Sequence, residues 1–404
     1  MNVGIVCEYN PFHNGHLYQI EKIREEFGDD TNIVAIMSGN YVQRGGVAIT
    51  DKGIRARCAV ECGVNLVLEL PFPYSMSSAE FFAKSAIHIL DSINCIDYVS
   101  FGSESGSVEE LVRVARVTLS FEFNKELDRL SNDSVYKKNG YAALYELALN
   151  NVLGMSEKTF SLTPNNILAI EYIKAIISSG SNLKIHTVKR VNNNYSDEYM
   201  SSGTIQSATA IRKSIEQKDI SALEFTPNIT KNIILDAISS GDFPCDNERI
   251  SPAVISSLRL NSPANFESIH DTSGGLYNRL RELSFKTNTI NNLICAAESK
   301  NFTKARIRRA LFYSLLGVTS SQFKDLPAYT QLLAMDSKGR AILKGIGKHA
   351  GFPVLTKPSD LDKLPDNALP QKNLSDMADS IFQMTKPTPK DGNDSLRFTP
   401  YVKK

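Results

Sequence analysis

Cysteine is scarce in this chain, and so are long apolar runs and any excess of one charge. The six cysteines, at 7, 58, 62, 95, 245 and 295, form no C-x-x-C pair and do not cluster with histidine. Cys58 and Cys62, four apart in a predicted helix, make at most half a metal site, and buried free thiols are the expectation. No stretch approaches the length of a membrane span, and Met1 leads directly into a strand with Glu8 close behind, unlike a secretory leader. A cytoplasmic protein with no membrane partner is expected. Lys and Arg number 45 against 44 Asp and Glu, so a nucleic-acid partner would have to bind a local patch. There is no internal repeat and no heptad run.

What is present is ordinary for a globular protein: 42% apolar and 22% charged residues over 404 positions, long enough for two domains. Residues 4–7, 33–37, 65–70, 96–101 and 183–188 read as strands. Residues 17–27, 51–62, 78–91 and 163–177 read as helices between them, and Ser107-x-x-Glu110 opens another as a capping box. Such alternation predicts an α/β fold with a parallel sheet whose ligands bind beyond the carboxyl ends of the strands. His13, Arg44 and Gly102 all follow strands, so one cleft can gather them. Arg44, on the Gly-punctuated loop 38–46, either meets a phosphate or carboxylate or is a solvated loop charge.

Chemistry concentrates in residues 4–16, GIVCEYNPFHNGH, which read strand, loop, helix start. His13 and His16 then face the positive end of a helix, where free N–H groups and the helix dipole favour an anion. Gly15, lacking a Cβ, would let a phosphate come close. With six His and 23 Gly in the chain, His-x-Gly-His arises by chance in roughly one chain in two hundred. Farther on, Ser207-Ala-Thr209-Ala-Ile-Arg212 places hydroxyls at a helix start and a guanidinium one turn later, a second set of donors for a phosphate chain. Taken alone this element is weak, because Ser and Thr are also ordinary caps.

HNGH after an N-terminal strand resembles the signature of the HIGH-type nucleotidylyltransferase superfamily, which attacks the α-phosphate of ATP and releases pyrophosphate. The longer string EYNPFHNGHL resembles the bacterial tRNA(Met) cytidine acetate ligase family, and SGNYVQRG, TPNNIL, Lys189-Arg190 and SATAIR follow in family-like order. Gly46 stands where an acidic residue is expected in the second string. The resemblance implies ATP-dependent activation of acetate to acetyl-adenylate and acetyl transfer to N4 of the wobble cytidine of elongator tRNA(Met). It implies a Rossmann-like nucleotidylyltransferase domain with ATP as cofactor, Mg²⁺ being carried by the nucleotide, and tRNA(Met) and acetate as partners. His13 and His16 are the implied catalytic pair. Nucleotide and phosphate contacts are assigned to Val6, Cys7, Glu8, Tyr9, Asn10, Pro11, Phe12, His13, Asn14, Gly15 and His16. Further contacts are assigned to Gly102, Asn165, Lys189, Arg190, Ser207, Thr209 and Arg212. A small-molecule adenylyltransferase and a non-catalytic RNA-binding protein on the same fold are the competing readings.

The expected organisation is an ATP-binding domain over 1–218 with a helical insertion at about 120–160, its apolar stripe formed by Tyr141, Leu144, Leu147 and Val152. A helical, tRNA-binding domain over 219–350 follows, without intervening strands, and then a Pro- and Lys-rich arm over 351–404. Residues 303–311 are the densest basic segment of the helical part. Lys304 and Arg308 share one helix face and Arg306 and Arg309 another. Beside Phe302 and Tyr313 these four suit an RNA backbone, the bland alternative being a solvated helix face.

Overall fold

The computed structural model describes residues 1–133, 135–136, 140–154, 160, 162–190, 205–260, 268–393 and 398–404. Its centre is a sheet of eight strands in the order β5-β4-β1-β2-β3-β6-β7, with β8 paired to β6. The strands are β1 Asn2–Cys7, β2 Asn32–Ser38, β3 Leu66–Leu70, β4 Tyr98–Ser103, β5 Lys184–Lys189, β6 Thr330–Met335, β7 Val354–Leu355 and β8 Tyr401–Val402. The first five are mutually parallel, as their spacing by helices predicts. Read from β3 to β5, their order 3-2-1-4-5 is that of a Rossmann-like sheet, and the order reverses between β1 and β4.

The strands read as unbroken apolar runs because both faces of the sheet are covered. Val34, Ile36, Leu66 and Leu68 enter one core, while Ile33, Ala35, Met37 and Val67 enter the other. Helices α1 Asn14–Phe27 and α2 Lys52–Glu61 cover the second face with Ile20, Ile23, Ala56 and Val60. Helix α3 Ala79–Ser92 covers the first with Phe82, Ala86 and Ile89. The 120–160 region packs on that same core through Phe123, Leu130, Leu144 and Leu149. Its stripe differs from expectation at one end, since Tyr141 is 68% exposed and Ala148 and Leu149 are buried instead.

Beyond residue 218 the structure departs further from the sequence reading. The 219–350 segment is not purely helical: β6 lies antiparallel against β3, so the second half of the chain completes the sheet of the first. With TQLLAM as its sequence, β6 has a single β-branched residue and carries little strand signal. Within the 351–404 segment, expected as an arm, the described residues pack on the rest of the chain. β8 pairs with β6, and helix Ala368–Phe382 is seated against the loops after β2 and β3. There Tyr41 Oη donates to Ala378 O at 2.8 Å and Ser375 Oγ to Phe72 O at 2.8 Å. Among the described residues, no helix is long and apolar enough to cross a membrane.

Candidate active site

The His-x-Gly-His loop leaves β1 at the point where strand order reverses and turns directly into α1. His13 is the N-cap of α1 and closes a capping box with His16. Gly15 N–H donates to His13 Nδ1 at 3.0 Å and His13 N–H to His16 Nδ1 at 3.2 Å. In both rings Nδ1 is thereby an acceptor, which leaves the proton on Nε2 whenever the imidazole is neutral. The rings lie 3.8 Å apart. Burial, then the charges of Arg190 and Arg212, pull His13 down to about 3. Burial and the neighbouring His13 and Arg190 hold His16 well below the usual histidine range. The pair is therefore neutral at physiological pH and offers two N–H donors.

Gly15 also accommodates the pair. A Cβ there would lie 2.9 Å from His13 Cε1, so the missing side chain makes room for the ring. The other residues of the motif divide by role. Tyr9 and Phe12 are buried in the core of the α1 face and flank His16 at 4.9 and 5.5 Å between ring centroids. Cys7 is a free thiol that burial pushes above its ordinary range. Glu8 Oε1 accepts from Gln43 N at 2.8 Å and Asn10 Oδ1 from Ile49 N at 2.7 Å, so both side chains brace the loop after β2.

Two guanidinium groups border the histidines. Arg190 follows β5, its backbone N–H bonded to Ser103 O at 3.0 Å, and its stem runs beside Gly102, where a Cβ would lie 3.5 Å from Arg190 Cγ. Arg212 projects from helix Ala208–Glu216 and donates to Asn10 O at 2.7 Å and Thr209 Oγ1 at 3.2 Å. Ser207 caps that helix, accepting from Ala210 N at 3.1 Å. Asn165, by contrast, gives its amide to Glu104 Oε1 at 2.5 Å. Its neighbour Asn166 receives the N–H groups of Glu104 and Ser105 at 3.0 and 3.2 Å, so the pair shapes the loop after β4. Lys189 packs over Gly106, where a Cβ would lie 2.8 Å from Lys189 Cβ.

The basic segment falls on helix Lys304–Leu316 and is largely engaged by protein. Arg309 is buried and paired with Asp271 at 2.6 Å. Arg306 donates to Asp271 O at 3.0 Å and Ser273 O at 2.8 Å, and Lys304 meets Glu298 at 3.4 Å. The expected continuous basic face is thus divided, because Arg306 and Arg309 are held by residues 271–273, more than thirty positions away, and Lys304 by nearby Glu298. Arg308 alone of the four points toward the first half of the chain, a placement spacing cannot reveal.

Residues that pattern reading passed over build the floor beneath the loop. Lys52 Nζ contacts Glu69 Oε1 at 2.8 Å and Asp379 Oδ2 at 2.6 Å, all three side chains being buried. Burial opposes the ammonium, but Asp379 and then Glu69 outweigh it and keep Lys52 above its usual range. Arg55 ties Glu8 O, Ser38 O and Thr50 O together at 2.6, 3.1 and 3.1 Å. The available signal was two cations inside the apolar face of α2, next to Ala56, Ala59 and Val60.

A Rossmann-like sheet that presents neutral imidazole donors and two guanidinium groups at its switch point defines a nucleotide-binding α/β protein suited to chemistry on phosphates. A family model described as HIGH Nucleotidyl Transferase matches residues 1–395, and the chain belongs to that family. It is 38% identical to the tRNA(Met) cytidine acetate ligase of Thermoanaerobacter sp. over 92% of both chains. Identity to the protein of that name from Acetivibrio thermocellus is 34%, over 96% of this chain and 95% of the relative. Among solved structures it resembles apo Thermotoga maritima TmcAL with a TM-score of 0.91 and 32% identity, over 99% of each chain. The same protein bound with alpha-thio ATP matches with a TM-score of 0.87 and 31% identity over the whole of both chains.

Proposed function

We propose that this protein is an ATP-dependent tRNA(Met) cytidine acetate ligase. A carboxylate oxygen of acetate attacks the α-phosphorus of ATP and pyrophosphate leaves with the bond electrons, giving acetyl-adenylate. The N4 amine of the wobble cytidine of elongator tRNA(Met) then attacks the acetyl carbon and AMP departs. No covalent enzyme intermediate is needed, so the protein acts by positioning and by stabilising charge that develops on phosphate oxygens. Mg²⁺ accompanies the ATP phosphates.

The observation that carries this reading is the tautomer set by the capping box. His13 and His16 each retain an Nε2–H and present it without a net charge, and Arg190 and Arg212 supply the positive charge beside them. Ser207, Thr209 and Gly102 border the same cleft in this reading, while Asn165 acts through the loop after β4. Kinship with ligases of this name over more than nine-tenths of the chain supports acetate and tRNA(Met) as the substrates.

Incubating the enzyme with ATP, labelled acetate and no tRNA tests the first half reaction. Acetyl-adenylate and ATP–pyrophosphate exchange are expected, and His16→Ala should lower the exchange rate about a hundredfold, the usual cost of one transition-state donor. Exchange that strictly requires tRNA, or a folded His16→Ala protein with normal turnover, would refute the assignment.

A further inference from the structure

Arg308 sits differently from every other cation of its helix. Among the described residues no carboxylate lies within ion-pair distance of it, whereas Lys304, Arg306 and Arg309 are each engaged by neighbouring protein groups. It is half-buried and faces Arg212 and Arg44 across the junction between the two halves of the chain, with Glu216 as the acid on that side. The approach is close. Gly45, at φ 87°, lies against this turn of the helix, and a Cβ there would stand 2.5 Å from Arg308 Cβ and 2.7 Å from Arg309 N. The loop that carries Arg44 and Gly45 is anchored in turn to the end of β1 by Gln43 N–H and Glu8. Arg212 is anchored to the histidine loop itself, through Asn10 O. These contacts bring Arg308 within electrostatic reach of Arg212 and Arg44, and the Arg212 charge is in turn felt by His13.

Gathering like charges in a half-buried place is costly unless an anion of high charge joins them. Burial and the Arg212 charge work against the Arg308 cation, as expected of a site awaiting such an anion. A polyphosphate chain fits that requirement, and planar guanidinium groups suit its oxygens. Its α-phosphorus would rest at the imidazole Nε2–H groups and its distal end at the arginines.

We propose that Arg308 binds the β,γ-phosphates of ATP together with Arg212, and holds the pyrophosphate as it leaves, rather than contacting RNA. The assignment rests on the adenylylation reading above. It makes the helical half of the chain part of the ATP site, so that adenylylation requires the two halves to be closed on each other.

Binding of ATP and of AMP to Arg308→Ala and Arg308→Lys separates this role from folding, because AMP has no β,γ-phosphates. Arg308→Ala is expected to weaken ATP binding tenfold or more, with AMP affinity within about twofold of the parent. Acetate-dependent ATP–pyrophosphate exchange should fall about a hundredfold in Arg308→Ala and recover in part in Arg308→Lys, which restores a charge without the fork. Unchanged ATP affinity and exchange, with loss confined to tRNA binding, would overturn the proposal in favour of an RNA phosphate contact. Equal loss of AMP and ATP would overturn it in favour of a structural role. Failure of the parent enzyme to exchange at all would instead refute the adenylylation reading, while a difference between ATP and AMP binding in the variants would still report on Arg308.

Discussion

At the scale of single residues, the site depends on histidines that stay uncharged. His13 is held at about 3 by burial and by the arginines near it, whereas an imidazole in the unfolded chain titrates near 6.5. The unfolded chain therefore takes up protons first as pH falls, so the stability contributed by the neutral ring is full above about 6.5. It is lost progressively toward 3, at about 1 kcal/mol per pH unit. His16 is displaced in the same direction and adds to the slope. Urea unfolding between pH 7.5 and 5 should show this loss, and His13→Asn, which keeps a capping acceptor, should make the profile shallower by about one histidine. Parallel profiles for parent and variant would mean that the ring titrates freely in the folded protein. Over pH 6 to 8 the exchange rate should show no histidine inflection, because neither ring changes charge there.

At the scale of elements, α2 and the C-terminal helix Ala368–Phe382 are locked by one buried ammonium between two carboxylates. Asn40 joins them, donating from Nδ2 to Asp379 Oδ1 at 2.8 Å and accepting Lys52 N–H at 2.8 Å. Replacing Lys52 with Met strands two buried carboxylates and should cost about 3–5 kcal/mol. Asp379→Asn leaves a matched Lys52–Glu69 pair and a polar partner for Asn40, so its cost should stay near 1 kcal/mol. Chemical denaturation of the two variants checks the order, and equal losses would refute the charge-balance account. The helix is invisible to apolar periodicity because its buried positions include Lys372, Ser375 and Asp379 beside Ala378 and Phe382. Ser375 and Asp379 find partners in Phe72 O, Asn40 and Lys52, about three hundred positions away or more.

At the scale of the whole molecule, the chain is one sheet closed by its own C-terminal half. β6 covers the edge of β3, β8 pairs with β6, and Tyr401 Oη donates to Glu61 Oε1 at 2.5 Å on α2. A protein ending at residue 350 would lose β7, β8 and the helix that supplies Asp379. It would also expose Tyr41, whose ring lies 5.1 Å from Phe72 and 6.5 Å from Phe382. Such a truncation should be insoluble or lack fixed tertiary structure, measured by soluble yield and by the tyrosine bands of near-ultraviolet circular dichroism. A soluble 1–350 protein with cooperative unfolding and normal ATP binding would restore the picture of a loose arm.

The five parallel strands and the His-x-Gly-His loop were legible because their information is local: apolar runs covered on both faces, turn residues, and a cap within a few positions of its helix. Arg212 was legible for the same reason, lying one turn from Thr209. Other features depend on distance in sequence. Four neighbouring cations on one helix look equivalent until Asp271 and Glu298 claim three of them and leave Arg308 facing Arg212. Lys52 looks like a surface residue until Glu69 and Asp379 enclose it. Local sequence determined the five parallel strands and the His-x-Gly-His loop, because backbone propensity and short-range capping act over a few residues. Only the tertiary structure decided which charges are paired within the fold and which are not, because pairing in a low-dielectric interior depends on residues that folding alone brings together.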